Sequence, residues 1–326
     1  MGEGNEMSRY ARQMILPEVG PEGQEKLSKA RVKVVGAGGL GSPVIQYLAG
    51  AGIGTLSVSD PDRVAVTNLH RQVIYTEDRT ELYKAQAAAE YAQRLNGDVS
   101  AIWSPDAVTP NNAVDIANHF DIVVDCADSY AASYILSDAC LETNTPLISA
   151  SVLQMTGYVG GFCAGAPSLR AVFPELPDHA ASCATAGVLG PVVGIIGSIQ
   201  AQMTLAHILG LDPSPLGQFV HFDAQTMRSS SFRFDGAPEP QAGHRFISAR
   251  KITSDDLVVD LRDSEEAPRK ATADAVRTTI DKIETLPNTD RRTVICCASG
   301  LRAWRAADRL KPYWRGEIVL AALGPT

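Results

Sequence analysis

The stretch VKVVGAGGLGSPVIQYLAGAG, residues 32–52, constrains the fold of this chain more than any other. It begins with a β-rich apolar run, continues through a cluster of glycines, and then places Val44, Tyr47 and Leu48 at helical spacing. A strand that turns directly into a helix is the first half of a βαβ unit, which pairs its strands in parallel. The stretch therefore predicts an α/β fold.

Further strands of the same sheet are predicted by GTLSVSD at residues 54–60, FDIVVDCAD at 120–128 and TPLISAS at 145–151. Helical patterns at residues 83–95 and 130–142 lie between them. Strands that alternate with helices predict a Rossmann-like, doubly wound parallel sheet with helices on both faces. Ligands bind at the carboxyl ends of the strands in such a sheet.

The pattern changes after about residue 152. VLQMTGYVGGFC and the hairpin-like GQFVHFDAQTMRSSSFRFD predict added strands, and we expect them to be antiparallel. GAPEPQAGH, residues 236–244, is rich in Pro and Gly and predicts a linker. Beyond it, DDLVVDLRD and RTVICC predict two strands separated by a helical stretch, and RAWRAADRLK predicts an amphipathic helix. We therefore expect a first domain at 1–235 and a small α/β domain at 245–326.

Composition excludes several classes of protein. A net charge of −8 argues against nucleic acid as a partner, since phosphate binding needs a basic surface. The N-terminus MGEGNEMSRYARQ lacks an apolar stretch preceded by positive charge, so we expect a cytoplasmic location. The apolar run at 188–211 contains Gln200, Gln202 and His207, which are costly in lipid, so we expect a buried helix and not a membrane span.

Gly36, Gly38 and Gly41 form a GxGxxG pattern between the first strand and the first helix of the sheet, and Asp60 ends the second strand. Glycines let the backbone approach a phosphate, the start of the helix offers unpaired N–H groups, and the acid can hold a ribose hydroxyl. The pattern predicts a nucleotide site. By itself it fits a dinucleotide as well as ATP.

Charged residues beyond the glycines favour ATP. Asn68 and Arg71 follow in TNLHR, Lys84 begins the next helix, and Asp128 follows a strand. A nicotinamide site does not need several cations and a loose carboxylate, whereas a site that breaks a triphosphate does, and each charge-assisted hydrogen bond contributes about 1.5–3 kcal/mol. Asp128 is also a candidate ligand for a magnesium ion that bridges phosphate oxygens.

Several separated motifs occur in the order found in one enzyme family. They are RYARQMILPEVGPEGQEKL, VVGAGGLGSP, YLAGAGIGTLSVSDPDRVAVTNLHRQVIY, VVDCADS and SCATAGVLGPVVGIIGSIQA. From about residue 7 to 235 the chain resembles the ThiF/MoeB family, the bacterial relatives of ubiquitin-activating enzymes. The resemblance implies a homodimer that uses ATP to adenylate the C-terminal carboxylate of a ubiquitin-like sulfur carrier ending in Gly-Gly.

The resemblance also implies roles for individual residues. The implied nucleotide and phosphate contacts are Gly39, Asp60, Asn68, Arg71 and Lys84. Asp60 would hold the ribose, Asp128 a magnesium ion, and Arg12 would reach the ATP of the neighbouring subunit. Cys183 matches a position where some members bond covalently to the carrier. A covalent role for Cys183 and the absence of any catalytic role are weighed equally.

The chain departs from the family pattern where many members bind a structural zinc with two CxxC pairs. Ser168 and Ala171 stand at the first pair, and the linker GAPEPQAGH contains no cysteine. Four thiolates are the usual ligands of such a zinc, so we expect no structural zinc site. We expect packing to hold this segment instead.

CASGLRA, residues 297–303, has the C-x-x-G-x-R-A form of a rhodanese active-site loop, and DLVVDLRDSEE resembles the start of the same fold. The resemblance covers about residues 245–326, which is short for a rhodanese domain. Loop N–H groups and Arg302 favour a negatively charged sulfur, so Cys297 is predicted to carry a persulfide. Cys296 should point the opposite way. The cysteines predicted to lie in the core are Cys126, Cys140 and Cys163.

The sequence thus favours an adenylyltransferase that also transfers sulfur, supplied by a persulfide donor such as a cysteine desulfurase. In one alternative the enzyme only adenylates, and the rhodanese-like part is a non-catalytic docking module. In another the protein is an NAD-dependent oxidoreductase, which would have no use for Arg12, Asn68, Lys84 or the thiol loop.

Overall fold

The computed structural model describes residues 9–175, 187–240 and 243–324. Its first sheet is built, in chain order, from β1 (Arg31–Val35), β2 (Thr55–Ser59), β3 (Ser100–Ser104), β4 (Ile122–Asp125), β5 (Leu147–Leu153), β6 (Thr156–Phe162), β7 (Gln218–Asp223) and β8 (Arg228–Arg233). Their spatial order is β3-β2-β1-β4-β5-β6-β7-β8. The pairs from β3 to β5 are parallel and those from β5 to β8 antiparallel, which confirms the predicted Rossmann-like sheet.

The described α-helices are, in chain order, α1 (Ala11–Met14), α2 (Gly20–Lys29), α3 (Gly41–Ala51), α4 (Lys84–Leu95), α5 (Ala113–His119), α6 (Tyr130–Thr143), α7 (Leu169–Val172), α8 (Gly190–Leu209) and α9 (Leu301–Leu310). Strand β3 and helix α5 were not predicted. β3 is a sheet edge with little burial, so its sequence lacks the continuous apolar run of the inner strands.

Helix α8 contains the apolar run that raised the question of a membrane. Among the described residues it is the one helix whose length and composition would allow it to cross a membrane. In this fold it packs on β5, β6 and α3. Its buried Gln200 donates to the carbonyl oxygens of Asp125 at 2.6 Å and Ile148 at 3.1 Å, so the polar side chain ties the helix to two strands.

A second, five-stranded sheet follows. Its strands are β9 (Arg245–Phe246), β10 (Leu257–Asp260), β11 (Val276–Arg277), β12 (Thr293–Cys297) and β13 (Ile318–Ala322). They pair in parallel in the order β11-β10-β12-β13-β9. The helical stretch predicted between β10 and β12 is only a short 3₁₀ helix, Ile280–Thr285. Pro287 follows it and disfavours a helical conformation at the residue before, which limits its length.

One hydrophobic core joins the two sheets. Val123 and Leu147 of the first sheet and Val259 and Ile295 of the second belong to the same cluster of buried side chains, together with Trp304 of α9. The second sheet therefore packs against the first, and the two share buried side chains.

Lys33 is a charged residue that is buried within the first sheet. It lies in the central strand β1 with 5% of its surface exposed. Its Nζ donates to Ser57 Oγ at 3.1 Å and lies 5.7 Å from the centroid of the Phe120 ring. Burial lowers the pKa of Lys33 to about 8, against a smaller opposing effect of Asp106.

Replacing Lys33 should therefore stabilise the protein at neutral pH. Between pH 8 and its unfolded pKa, a lysine whose folded pKa lies near 8 binds fewer protons in the folded protein than in the unfolded chain. Burying the charged lysine therefore destabilises the protein fully below pH 8, and this destabilisation disappears as the pH rises towards the unfolded pKa. We expect Lys33→Met to raise the free energy of unfolding at pH 7 by about 3 kcal/mol, a gain that shrinks by pH 10. Urea unfolding of both chains at the two pH values measures it, and an equal gain at both would contradict this account.

Candidate functional site

A cavity of about 800 Å³ opens at the carboxyl ends of β1, β2 and β4. Seven of the predicted site residues line it: Gly36, Gly38, Gly39, Asp60, Arg71, Lys84 and Asp128. The second sheet contributes lining residues as well, among them Ser248, Ala298 and Leu323. The cavity lies at the edge where doubly wound sheets bind ligands, and residues of both sheets surround it.

The glycine turn gives the cavity its floor. Gly36 has a φ of 94°, and a Cβ there would lie 2.5 Å from the carbonyl oxygen of Cys126, so no other residue fits. Helix α3 starts at Gly41 without a side-chain cap. In its first turn the Ser42 N–H donates to the carbonyl oxygen of Gly38 at 3.0 Å and Pro43 has no N–H, so an anion such as a phosphate would be bound by the N–H groups of the glycine turn that precedes the helix.

Asp60 is buried and braces the glycine turn. One carboxylate oxygen accepts the N–H of Ala37 at 2.7 Å, and the other accepts the N–H of Asp62 at 2.8 Å. Burial raises the pKa of Asp60, although Lys84 and the two N–H groups work against this rise. A carboxylate oxygen can accept more than one hydrogen bond, so the predicted bond to a ribose hydroxyl is compatible with these contacts and stays a prediction.

Lys84 and Arg71 bring positive charge to the cavity. Lys84 is nearly buried at the start of α4, and its Nζ donates to Asp62 Oδ2 at 2.8 Å. Arg71 is half-buried, with Nη1 at 3.5 Å from the carbonyl oxygen of Thr67. Asp62 was not predicted, and it holds the Lys84 ammonium at the cavity wall.

Asp128, Asn68 and Arg12 lie in three different settings. Asp128 is exposed at the cavity, beyond the end of β4, and makes no hydrogen bond or ion pair to another described residue. Asn68 does not line the cavity, and its backbone carbonyl accepts the N–H of Arg71 at 3.1 Å. Arg12 is exposed on α1, away from the cavity. The roles of Asn68 in holding phosphate and of Arg12 in the neighbouring subunit stay predictions.

Gln72 lines the cavity and Tyr75 supports the turn that forms it, and sequence reasoning missed both. Gln72 is buried and lines the cavity, and within the described part of the chain its Oε1 accepts no hydrogen bond. The Tyr75 hydroxyl donates to the carbonyl oxygens of Ala37 at 2.7 Å and Lys84 at 3.1 Å, which links the glycine turn to α4. Both residues follow Arg71 closely in RQVIY, and this proximity to a predicted site residue is the sequence signal that could have indicated them.

Cys297 ends β12, and its loop curls around the sulfur. The Sγ accepts the N–H of Gly300 at 3.1 Å and the N–H of Ala303 at 3.4 Å. Two backbone donors stabilise negative charge on sulfur. The side chain is fully buried, but the next residue, Ala298, lines the cavity.

Arg302 and Cys296 complete the description of this loop. Arg302 donates to the carbonyl oxygen of Leu261 at 3.0 Å and forms an ion pair with Glu266. Part of its positive charge is therefore already compensated by Glu266. Cys296 packs in a different cluster from Cys297, as strand alternation predicts, and burial raises its pKa to about 12. Cys183 lies outside the described residues. The cysteines found buried as predicted are Cys126, Cys140 and Cys163.

Comparison with known proteins identifies the family of the part of the chain that contains the first sheet. Residues 10–244 match the model of the ThiF family. The chain belongs to the ThiF family. The match ends at residue 244, so it does not extend to the sheet that carries Cys297.

Two relatives of this ThiF chain have informative names. "Adenylyltransferase and sulfurtransferase MOCS3" of Culex quinquefasciatus is 43% identical over 232 residues, which are 70% of this chain and 52% of that protein. "Sulfur carrier protein adenylyltransferase" of Thermus thermophilus is 42% identical over 67% of this chain and 84% of its own length. The chain thus spans about half the length of the MOCS3 relatives it matches. Escherichia coli MccB, solved with ATP, has a similar fold, with a TM-score of 0.62 and 22% identity over 72% of this chain and 73% of MccB.

Ser168, where the sequence departs from a zinc-binding pattern, is held by a carboxylate. Glu239, in the linker, accepts the Ser168 N–H at 2.6 Å and the Ser168 hydroxyl at 2.5 Å. The described residues contain no group of three or more His, Cys, Asp or Glu placed to bind a metal. We expected packing alone, and the two hydrogen bonds add a specific contact between the same two segments.

Removing this carboxylate should loosen the linker. Ser168 is buried, so Glu239→Ala leaves its N–H and hydroxyl without an acceptor, at a cost of about 1–3 kcal/mol in the free energy of unfolding. Urea unfolding measures the loss, with Glu22→Ala on the exposed face of α2 as the control. A metal chelator should leave the parent's melting temperature unchanged, and a lower temperature would show that a metal holds this segment.

Proposed function

We propose that this protein adenylates the C-terminal carboxylate of a ubiquitin-like sulfur-carrier protein ending in Gly-Gly, and then replaces one carboxylate oxygen with sulfur from a Cys297 persulfide. The observation that carries the proposal is the shared cavity: the glycine turn, Lys84 and Asp128 line it on one side, and Ala298, beside Cys297, lines it on the other. Membership of the ThiF family and the names of the relatives support adenylation.

Adenylation solves a chemical problem of the carrier. A carboxylate is a poor electrophile because its charge repels nucleophiles and its oxygen leaves poorly. In the proposed step a carboxylate oxygen attacks the α-phosphorus of ATP, the bond to the β-phosphate oxygen breaks, and pyrophosphate leaves. Arg71 and Lys84 border the cavity, where fixed positive charge stabilises the departing phosphates.

The residues present fit a magnesium ion. Asp128 is an exposed carboxylate at the cavity without a partner among the described residues, and magnesium in such sites takes one or two carboxylates plus phosphate oxygens. When bound, the ion neutralises charge on the phosphates. Asp128 would hold it and fix the orientation of the triphosphate.

The second step would use the sulfur loop, which we propose to be a rhodanese-like active site. The terminal sulfur of the Cys297 persulfide attacks the acyl carbon and AMP leaves, which gives an acyl disulfide on Cys297. A dithiol reductant then supplies two electrons, releases the thiocarboxylate and the Cys297 thiol, and becomes a disulfide. A cysteine desulfurase is a suitable donor for the persulfide.

We further propose a cytoplasmic homodimer in which Arg12 completes the partner's nucleotide site. Arg12 is exposed, and so are the apolar side chains of Ile15, Val66 and Val73. Burying such side chains against a second copy is favourable. An arginine supplied by a partner is worth about 10³–10⁵ in rate in other phosphoryl transfers.

One observation favours a narrower function, in which the enzyme only adenylates and the second sheet serves as a docking module. The Cys297 side chain is fully buried, so its sulfur is shielded from solvent. Cys297→Ala separates the two functions. With sulfur transfer, the variant yields no thiocarboxylate from a persulfide donor but still yields it from free sulfide, whereas a docking module is indifferent to the change with either donor.

The test of adenylation is exchange of labelled pyrophosphate into ATP in the presence of magnesium and a Gly-Gly-terminated carrier, followed by mass spectrometry of the carrier. We expect Lys84→Met to slow the exchange about 100-fold, because one preorganised charge at the transition state is lost. Lys29→Met, on the exposed face of α2, is the control and should exchange like the parent. A parent chain that exchanges no pyrophosphate with any such carrier would refute the proposed function.

A further inference from the structure

Arg170 joins the two sheets. Its Nε and Nη2 donate to Asp138 of α6 at 2.6 and 2.9 Å, and Nη2 also donates to the carbonyl oxygen of His244, just before β9, at 3.1 Å. The guanidinium lies 4.8 Å from the ring centroid of Tyr134 on α6 and 5.1 Å from that of Trp304 on α9. A single side chain thus contacts both halves of the chain.

Aromatic stacking strengthens the same contact. The Tyr134 and Trp304 ring centroids are 4.8 Å apart, and Trp304 is almost fully buried. The His244 ring meets the edge of Trp304, and its Nε2 is 2.7 Å from Asp308 on α9. We call Tyr134, Arg170, His244 and Trp304 the docking cluster.

The sulfur loop packs closely against helix α6. Gly300 has a φ of 85°, and a Cβ there would lie 2.9 Å from Ala131 Cβ on α6 and 2.7 Å from Phe246 Cε1. A further contact between the two halves of the chain is the hydrogen bond that Asn111 Nδ2 donates to Ser248 Oγ at 2.7 Å. Ser248 and Ala298, the residue after Cys297, both line the cavity.

We infer that Arg170 is a positioning residue for sulfur transfer, and that sulfur passes from Cys297 to the acyl-adenylate made in the nucleotide site of the same chain. The inference rests on the proposed function. It follows from the shared cavity, because Lys84 and Asp128 line the same cavity as Ala298, the residue after Cys297, and the docking cluster holds the two halves of the chain together there. Holding two reacting groups together in this way replaces an encounter in solution with a step inside one molecule.

The charge and shape of Arg170 both matter. Its bidentate pair with Asp138 and its place against two aromatic rings both suit a planar guanidinium. Arg170→Lys keeps the charge but not the planar shape, so it should transfer sulfur more slowly than the parent. Arg170→Met keeps neither and should lose most of the sulfur transfer.

The first experiment measures three rates in Arg170→Met. Thiocarboxylate formation should fall about 100-fold, since a misplacement of this kind has that effect in other enzymes. Pyrophosphate exchange and the transfer of sulfur from thiosulfate to cyanide at Cys297 should stay at the parent rates. A merely destabilised protein would lose all three together. Arg309→Met is the matched control: Arg309 lies on α9, and its ion pairs among the described residues are with Asp281 and Glu284, in the same half of the chain. Transfer at the parent rate in Arg170→Met would overturn the inference.

The second experiment does not depend on that variant's folding. A chain with Asp128→Asn and a chain with Cys297→Ser are co-expressed with different tags, and the mixed complex is purified through both. Each chain then lacks one half of the reaction. We expect no thiocarboxylate, whereas a complex of two parent chains purified in the same way should make it. Product from the mixed complex would show transfer between chains and overturn the inference, while the proposed function would stand. Loss of pyrophosphate exchange in the parent complex would instead refute the proposed function.

Discussion

The rest of the structure depends on a turn that has no room for a side chain. Gly36 approaches the Cys126 carbonyl so closely that β1, β4 and the start of α3 meet at one point. Asp60 and the Tyr75 hydroxyl then hold the backbone of Ala37 from two sides. The backbone of the glycine turn is therefore fixed by contacts of the protein itself and does not have to be organised by a ligand.

Local pattern was sufficient to predict the inner strands of the first sheet and several residues that line the cavity. Those strands are short β-rich runs, and the GxGxxG turn is a short-range feature, so both are visible without tertiary knowledge. Asp60 directly follows a strand, Asp128 lies three residues beyond one, and Lys84 begins a helix, and in a doubly wound sheet such positions converge at one edge.

What could not be predicted arises from contacts between distant segments. Glu239 and Ser168 are 71 residues apart, and neither has a local pattern that indicates the other. Arg170 has no sequence pattern that indicates Trp304, which lies 134 residues later and on a helix of the other half. Lys33 could not be predicted as buried for a related reason: a single lysine in a strand gives no sign of the distant residue Phe120, over whose ring its ammonium lies.

The burial of Cys297 has a consequence for how the protein would be used. A donor protein has to touch the Sγ to charge it, and the Gly300 loop closed over by Ala131 and Phe246 blocks such an approach. Because the two sheets share one hydrophobic core, charging in the proposed sulfur transfer would need the loop around Gly300 to open locally. The rate of that opening would set an upper bound on turnover, however fast either chemical step is.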